Sequence, residues 1–161
     1  MVKEIKFLYV AFVVIVTAAL CSWLTKIGIT GWYNTFEKPM ITPPNNVFPI
    51  VWTIIYALLI VSVSNVLSKA NASLEHDTWQ FFLIQMGLQT LWCLAFFAEG
   101  LIGLGLIVIL LLDIAAYQMI RFFFNVNKFS AFLLLPYGAW LLFATLLNIL
   151  FAMTGNFVIS F

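Results

Sequence analysis

Charged residues punctuate this chain at intervals that leave little choice of fold. Between Lys6 and Lys26 lie 19 uncharged residues, between Lys38 and Lys69 lie 30, and 78–98 adds another 21. A helix needs about 20 apolar residues to cross the hydrocarbon of a bilayer. A further apolar run at 101–124 is broken only by Asp113 and Arg121, and one more covers 129–153 before Gly155 offers a stop. Irregular backbone is barred from lipid because its polar groups find no partner there. The expected fold is therefore an all-α membrane protein, a five-transmembrane-helix bundle forming one domain over 1–161, with spans near 6–25, 48–67, 78–98, 101–124 and 129–153.

Composition closes the soluble alternative. Charged residues make up 8%, hydrophobic residues 65%, and the mean hydropathy is +1.12. A soluble domain carries about 25% charged residues, and a core of this size cannot hide so much apolar surface. The net charge of +1 gives no footprint for nucleic acid. Cys21 and Cys93 sit inside apolar runs, and no metal-ligand spacing is present. His76, in the polar stretch HDT, reads as a solvated loop residue. No small-x-small cleavage site closes the first run, so it is expected to remain as the first span. Lys3, Lys6, Lys69, Arg121 and Lys128 fall on one side of a five-span chain, and Lys26 and Lys38 on the other. That asymmetry expects the N-terminus inside.

Within the spans, chemistry falls in stripes. Tyr137, Trp140, Ala144 and Asn148 share one helical face, as do Gln85, Gln89, Trp92 and Phe96, while Trp52 and Tyr56 are one turn apart. Polar groups inside a membrane face the bundle interior. Such faces suit a flat apolar ligand, with rings to stack on it and amides to orient it. The same pattern also serves plain core packing, with the amides tying helices together. Asp113 fits helix–helix glue and ligand contact equally. Ala11, Ala18, Ala19 and Ser22 in the first span, and Gly100, Gly103 and Gly105 at the start of the fourth, are small enough for close helix approach.

The most polar stretch, WYNTFEKPMITPPNN, joins the first two spans. Its prolines fix φ and hold neighbouring residues extended, giving a stiff strip over 30–47 suited to lie as a lid across the bundle. Its order is Trp32-Tyr33, Lys38-Pro39, Pro43-Pro44, with Trp52 eight residues beyond Pro44. The third span carries Trp92 before Phe96-Phe97, and the fifth reads LLLPYGAWLLFATLLN. These three motifs, each on the matching span, resemble the translocator protein or tryptophan-rich sensory protein family (TspO/MBR, the peripheral benzodiazepine receptors). The resemblance covers nearly the whole chain. It departs at Ile41, where the family's loop carries Trp, at Gln89 for Asn, at Val108 for an acidic residue, and at Ile149, where the Tyr and Arg of the animal members' cholesterol motif are missing.

The resemblance implies a membrane receptor or sensor for porphyrins such as protoporphyrin IX and related planar ligands, with transport as a variant; the residues carry no cofactor fingerprint, so no cofactor is expected. It assigns ligand contacts to Tyr33, Pro44, Trp52, Tyr56, Gln89, Trp92, Trp140, Ala144 and Asn148, in a cavity between spans two, three and five under the proline loop. Light-dependent porphyrin breakdown, carried by Trp52 and Trp140, is the enzymatic alternative. A membrane scaffold is the third. The expected partners are the porphyrin, membrane lipid and a second copy of the chain, and the expected setting is a bacterial inner membrane.

Overall fold

The computed structural model describes residues 2–35 and 38–153, with no side-chain account of Val2. Five long helices fill it: α1 (Val2–Thr30), α2 (Val47–Leu67), α3 (Ala72–Trp92, continued as a π-helical segment Cys93–Ala98), α4 (Ile102–Val126) and α5 (Lys128–Met153). A short 3-10 turn, Trp32–Asn34, follows α1. All five helices are long and apolar enough to cross a membrane. Large apolar side chains such as Phe12, Ile54, Ile107 and Leu142 point outward, as a lipid solvent requires.

Two helices begin or end beyond the expected bounds. α3 starts six residues before 78, because the Asn71 side chain caps it, accepting from Leu74 N at 2.9 Å, with Glu75 in the first turn. The polar stretch SLEHDT is therefore helix rather than loop, and His76 is a solvated helical residue. α1 runs on to Thr30, whose hydroxyl bonds back to Lys26 O at 2.9 Å.

The helices form a closed ring. α1 packs on α2 and α3, α2 on α5, α5 on α4, and α4 on α3, so the order around the ring is 1-2-5-4-3. The end where α1 begins is solid. Val10 and Val14, Leu59 and Val63, Phe82 and Met86, Met119 and Phe123, and Ala131 and Leu134 bring all five helices into one buried cluster. Lys6 locks this end, reaching Glu75 Oε2 at 2.6 Å and Leu67 O at 3.4 Å.

The opposite end, called the loop end below, is built around α3. The π segment adds a residue per turn, and Glu99 N bonds Leu94 O at 3.0 Å. Trp92, Phe96 and Phe97 all remain buried. α1 meets this segment through Gly28, where any Cβ would collide with the Phe97 carbonyl. Gly100, at φ +67°, turns the chain into α4 beneath the Trp32 ring. Gly103 and Gly105 are buried inside the bundle, Gly105 against Phe96 and Asn148, so they serve contacts within the chain.

Candidate functional site

The buried cluster of the loop end draws Cys21 and Leu24 from α1, Trp92, Phe96 and Phe97 from α3, Ile102 and Val108 from α4, and Ala144 and Phe151 from α5. No buried α2 residue belongs to it. The start of α2 stands off instead, and a cavity of about 430 Å³ opens between α1, α2 and α3. Its size falls in the range of ligand sites.

Aromatic rings form its walls. Trp52 and Tyr56 of α2 stack on each other at 5.3 Å between centroids, 28° apart. Trp92 and Phe97 face them from α3, with Trp92 stacked on Phe96 at 5.6 Å and 14°. The Trp92 indole is held by Asn148, whose Oδ1 accepts from Nε1 at 3.3 Å and whose Nδ2 donates to Ile102 O at 3.0 Å. A buried polar tie of this kind fixes the orientation of a wall residue.

Gln89 supplies the deepest polar group. Its side chain is 1% exposed, Nε2 donates to Cys93 Sγ at 3.7 Å, and Oε1 accepts no hydrogen bond among the described residues. A buried acceptor left in that state costs about 1 to 3 kcal/mol. Cys21 lies beside it, its Sγ against Gln89 O at 3.8 Å. Ala18, Ser22, Thr25, Lys26 and Ile29 complete the α1 wall, and Asn45, Phe48, Pro49 and Thr53 the α2 side.

Of the residues assigned on resemblance, Trp52, Tyr56, Gln89 and Trp92 therefore surround one cavity. The others lie elsewhere. Tyr33 is buried under the turn, 5.9 Å from the Phe97 ring and 5.4 Å from Phe151. Burial pushes its phenol up to about 12, and the Lys38 ammonium sits 4.9 Å above its ring. Trp32 donates to Phe97 O at 2.8 Å. Pro44 is exposed, and among the described loop residues Asn45 is the one that reaches the cavity. Ala144 is packed inside the loop-end cluster, and Asn148 acts through Trp92. Trp140 faces a shallow outer groove with Ile54, Pro136 and Ala139, and packs edge-on to Phe48 at 5.9 Å.

The cavity thus uses α1 where α5 was expected. The α5 stripe turns its polar members into ties instead. The Tyr137 hydroxyl accepts from Gln85 Nε2, and the Tyr137 ring meets Trp52 edge-on at 6.4 Å. Asp113 proves to be glue between helices: Thr145 Oγ1 donates to its Oδ2 at 2.7 Å, joining α4 to α5 away from the cavity. The α1 wall was readable in the sequence. Ala18, Cys21, Ser22, Thr25, Lys26 and Ile29 follow helical spacing along one face. Small residues on that face read as a helix-association stripe, whereas here they leave room for the cavity.

The fold and this cavity define an integral membrane bundle with an aromatic-walled chamber. Comparison with known proteins gives the family. The family model described as TspO/MBR family matches residues 9–153. The chain is 35% identical to Tryptophan-rich protein TspO of Archaeoglobus fulgidus, over 79% of this chain and 82% of that protein. It is 33% identical to Tryptophan-rich protein TspO of Chlorobaculum tepidum, over 83% and 92%, and 28% identical to Protein CrtK of Rhodobacter capsulatus, over 85% and 88%. The chain belongs to the TspO/MBR family.

Proposed function

We propose that the chain is a membrane receptor that holds planar apolar ligands in the α1–α2–α3 cavity, with tetrapyrroles such as protoporphyrin IX the first to try. The observation that carries this reading is the pairing of aromatic walls, Trp52 and Tyr56 against Trp92 and Phe97, with a buried acceptor, Gln89 Oε1, that takes no hydrogen bond among the described residues. Rings give a flat ligand stacking area, and one amide fixes how it lies. Membership of the TspO/MBR family supports the class of ligand. The lysine and arginine asymmetry supports a plasma-membrane orientation with the N-terminus inside and the loop end outside.

Titration with protoporphyrin IX, followed by quenching of tryptophan fluorescence, tests the reading. Saturable quenching that is lost in Trp52→Ala supports it. Quenching unchanged in that variant would move the site, and no quenching at all would favour the scaffold. The photochemical alternative relies on Trp52 and Trp140 acting together. Trp52 lines the cavity and Trp140 faces the outer groove, which favours binding over paired-indole chemistry. Under illumination the bound porphyrin spectrum is accordingly expected to stay constant.

A further inference from the structure

The cavity has two unlike ends. Its depth is closed by Gln89, Cys21 and Cys93, all buried, with Gln89 Oε1 accepting no hydrogen bond among the described residues. Its mouth lies in the seam between α1 and α2, where the lining residues Ser22, Lys26, Asn45 and Thr53 are exposed. Lys26 is the only charged residue on the lining among the described residues. Among the described residues it forms no ion pair, and no carboxylate shares the lining with it.

We propose that this polarity selects the ligand: an apolar molecule with a carboxylate at one end and an N–H or O–H donor on the part buried deepest. The inference rests on the reading of this cavity as the ligand site. Lys26 takes the carboxylate, and Gln89 Oε1 accepts from the donor. A lysine suits the first task because its flexible stem lies along apolar surface while the ammonium stays at the wet edge of the bilayer. The buried amide suits the second because a molecule without a donor leaves it unsatisfied, which discriminates more sharply than apolar contact does. The mouth opens at the side of the bundle, between two lipid-facing helices, so a membrane-dissolved acid reaches it apolar body first. Tetrapyrrole acids and fatty acids share the carboxylate, but only the tetrapyrrole also carries N–H groups, which a porphyrin presents to an acceptor such as Gln89 Oε1 through the face of its ring.

The test compares protoporphyrin IX with its dimethyl ester, in detergent, by tryptophan quenching, with melting measured on each sample. Wild type should hold the diacid about fivefold tighter than the diester, the scale of one partly solvated ion pair. Lys26→Gln should erase that preference, Lys26→Arg should keep it, and Lys69→Gln, at the far end of α2, should leave it alone. Gln89→Leu should weaken acid and ester by a common factor without lowering the melting point. Palmitate that displaces the diacid from wild type and less from Lys26→Gln would assign the mouth to acids generally. Palmitate without effect would confine it to tetrapyrroles. Equal affinity for acid and ester in wild type, or a preference that survives Lys26→Gln, overturns the role of Lys26 while leaving the cavity as a binding site. If neither form binds, both readings fall.

Discussion

The two ends of the bundle are made from similar residues and behave oppositely. At the end where α1 begins, Val10 and Val14 of α1 join Leu59, Val63, Phe82 and Met86 in one buried cluster. At the loop end, α1 offers Ala18, Cys21, Ser22 and Thr25 instead, and a cavity of about 430 Å³ opens beside a wall of indoles. A few methyl groups on one face of one helix separate a closed core from a chamber. In lipid, where tails are as apolar as side chains, association depends on packing. A helix can therefore stand off from its neighbours only where another feature holds the frame. Here the frame is the fit of Gly28 against Phe97 and the Asn148 tie to Trp92.

Substitutions that separate the two ends run from large effects on stability to small. Phe82→Ala, in the solid end, should cost about 3 to 5 kcal/mol, seen as a large fall in melting temperature, with porphyrin affinity kept in the molecules that remain folded. Ala144→Phe enters the packed cluster of the loop end, and overpacking should cost about 1 to 3 kcal/mol while affinity is retained. Lost affinity with unchanged melting would put Ala144 on the cavity wall after all. Glu75→Gln removes the ion pair with Lys6, which is partly solvated, and should lower stability by no more than about 1 kcal/mol. Ala18→Phe, at the cavity wall, should leave melting almost unmoved and abolish ligand quenching, because the new ring fills space that is already there.

A pH scan sharpens the comparison further. Tyr33 titrates near 12 in the folded chain against about 10 when unfolded. The folded state thus holds the proton more tightly, so the stabilisation is complete below pH 10 and is lost as pH rises towards 12. Melting of wild type should fall more steeply across that window than melting of Tyr33→Phe. Parallel curves would show that the turn bears no part of the load.

Much of this architecture was legible in the residues. The gaps between charges locate the crossings, because the bilayer core disfavours charge, with Asp113 and Arg121 the exceptions in the fourth. What the gaps do not carry is rotation. A stripe marks a face without naming the neighbour it meets, and in the ring order 1-2-5-4-3 Tyr137 and Asn148 of the α5 stripe tie to α3 and α4 rather than lining the cavity. Trp140 and Ala144 share the spacing of Tyr137 and Asn148, yet one faces an outer groove and the other a packed core. The start of α3 was hidden for another reason. SLEHDT is polar because it lies at the membrane edge, and polarity there says nothing against helix once Asn71 caps it. The α1 wall was visible as a stripe of small residues, but small residues serve close approach and open space equally until the partner helix is known.

The ring order also bears on how the molecule comes into being. A ribosome delivers the helices as 1, 2, 3, 4, 5, whereas neighbours around the ring run 1-2-5-4-3. The flank of α2 that meets α5, and the flank of α4 that does the same, must wait unmated in the bilayer until the last span is made. Insertion can proceed helix by helix from the N-terminus, but closure is a single late event that belongs to α5. Until then Ser62, whose hydroxyl donates to Ser130 O at 2.8 Å in the finished bundle, has no α5 carbonyl to meet. A nascent chain halted before residue 128 would be fully inserted and still be an open arc, exposed to quality control in a way the completed ring is not.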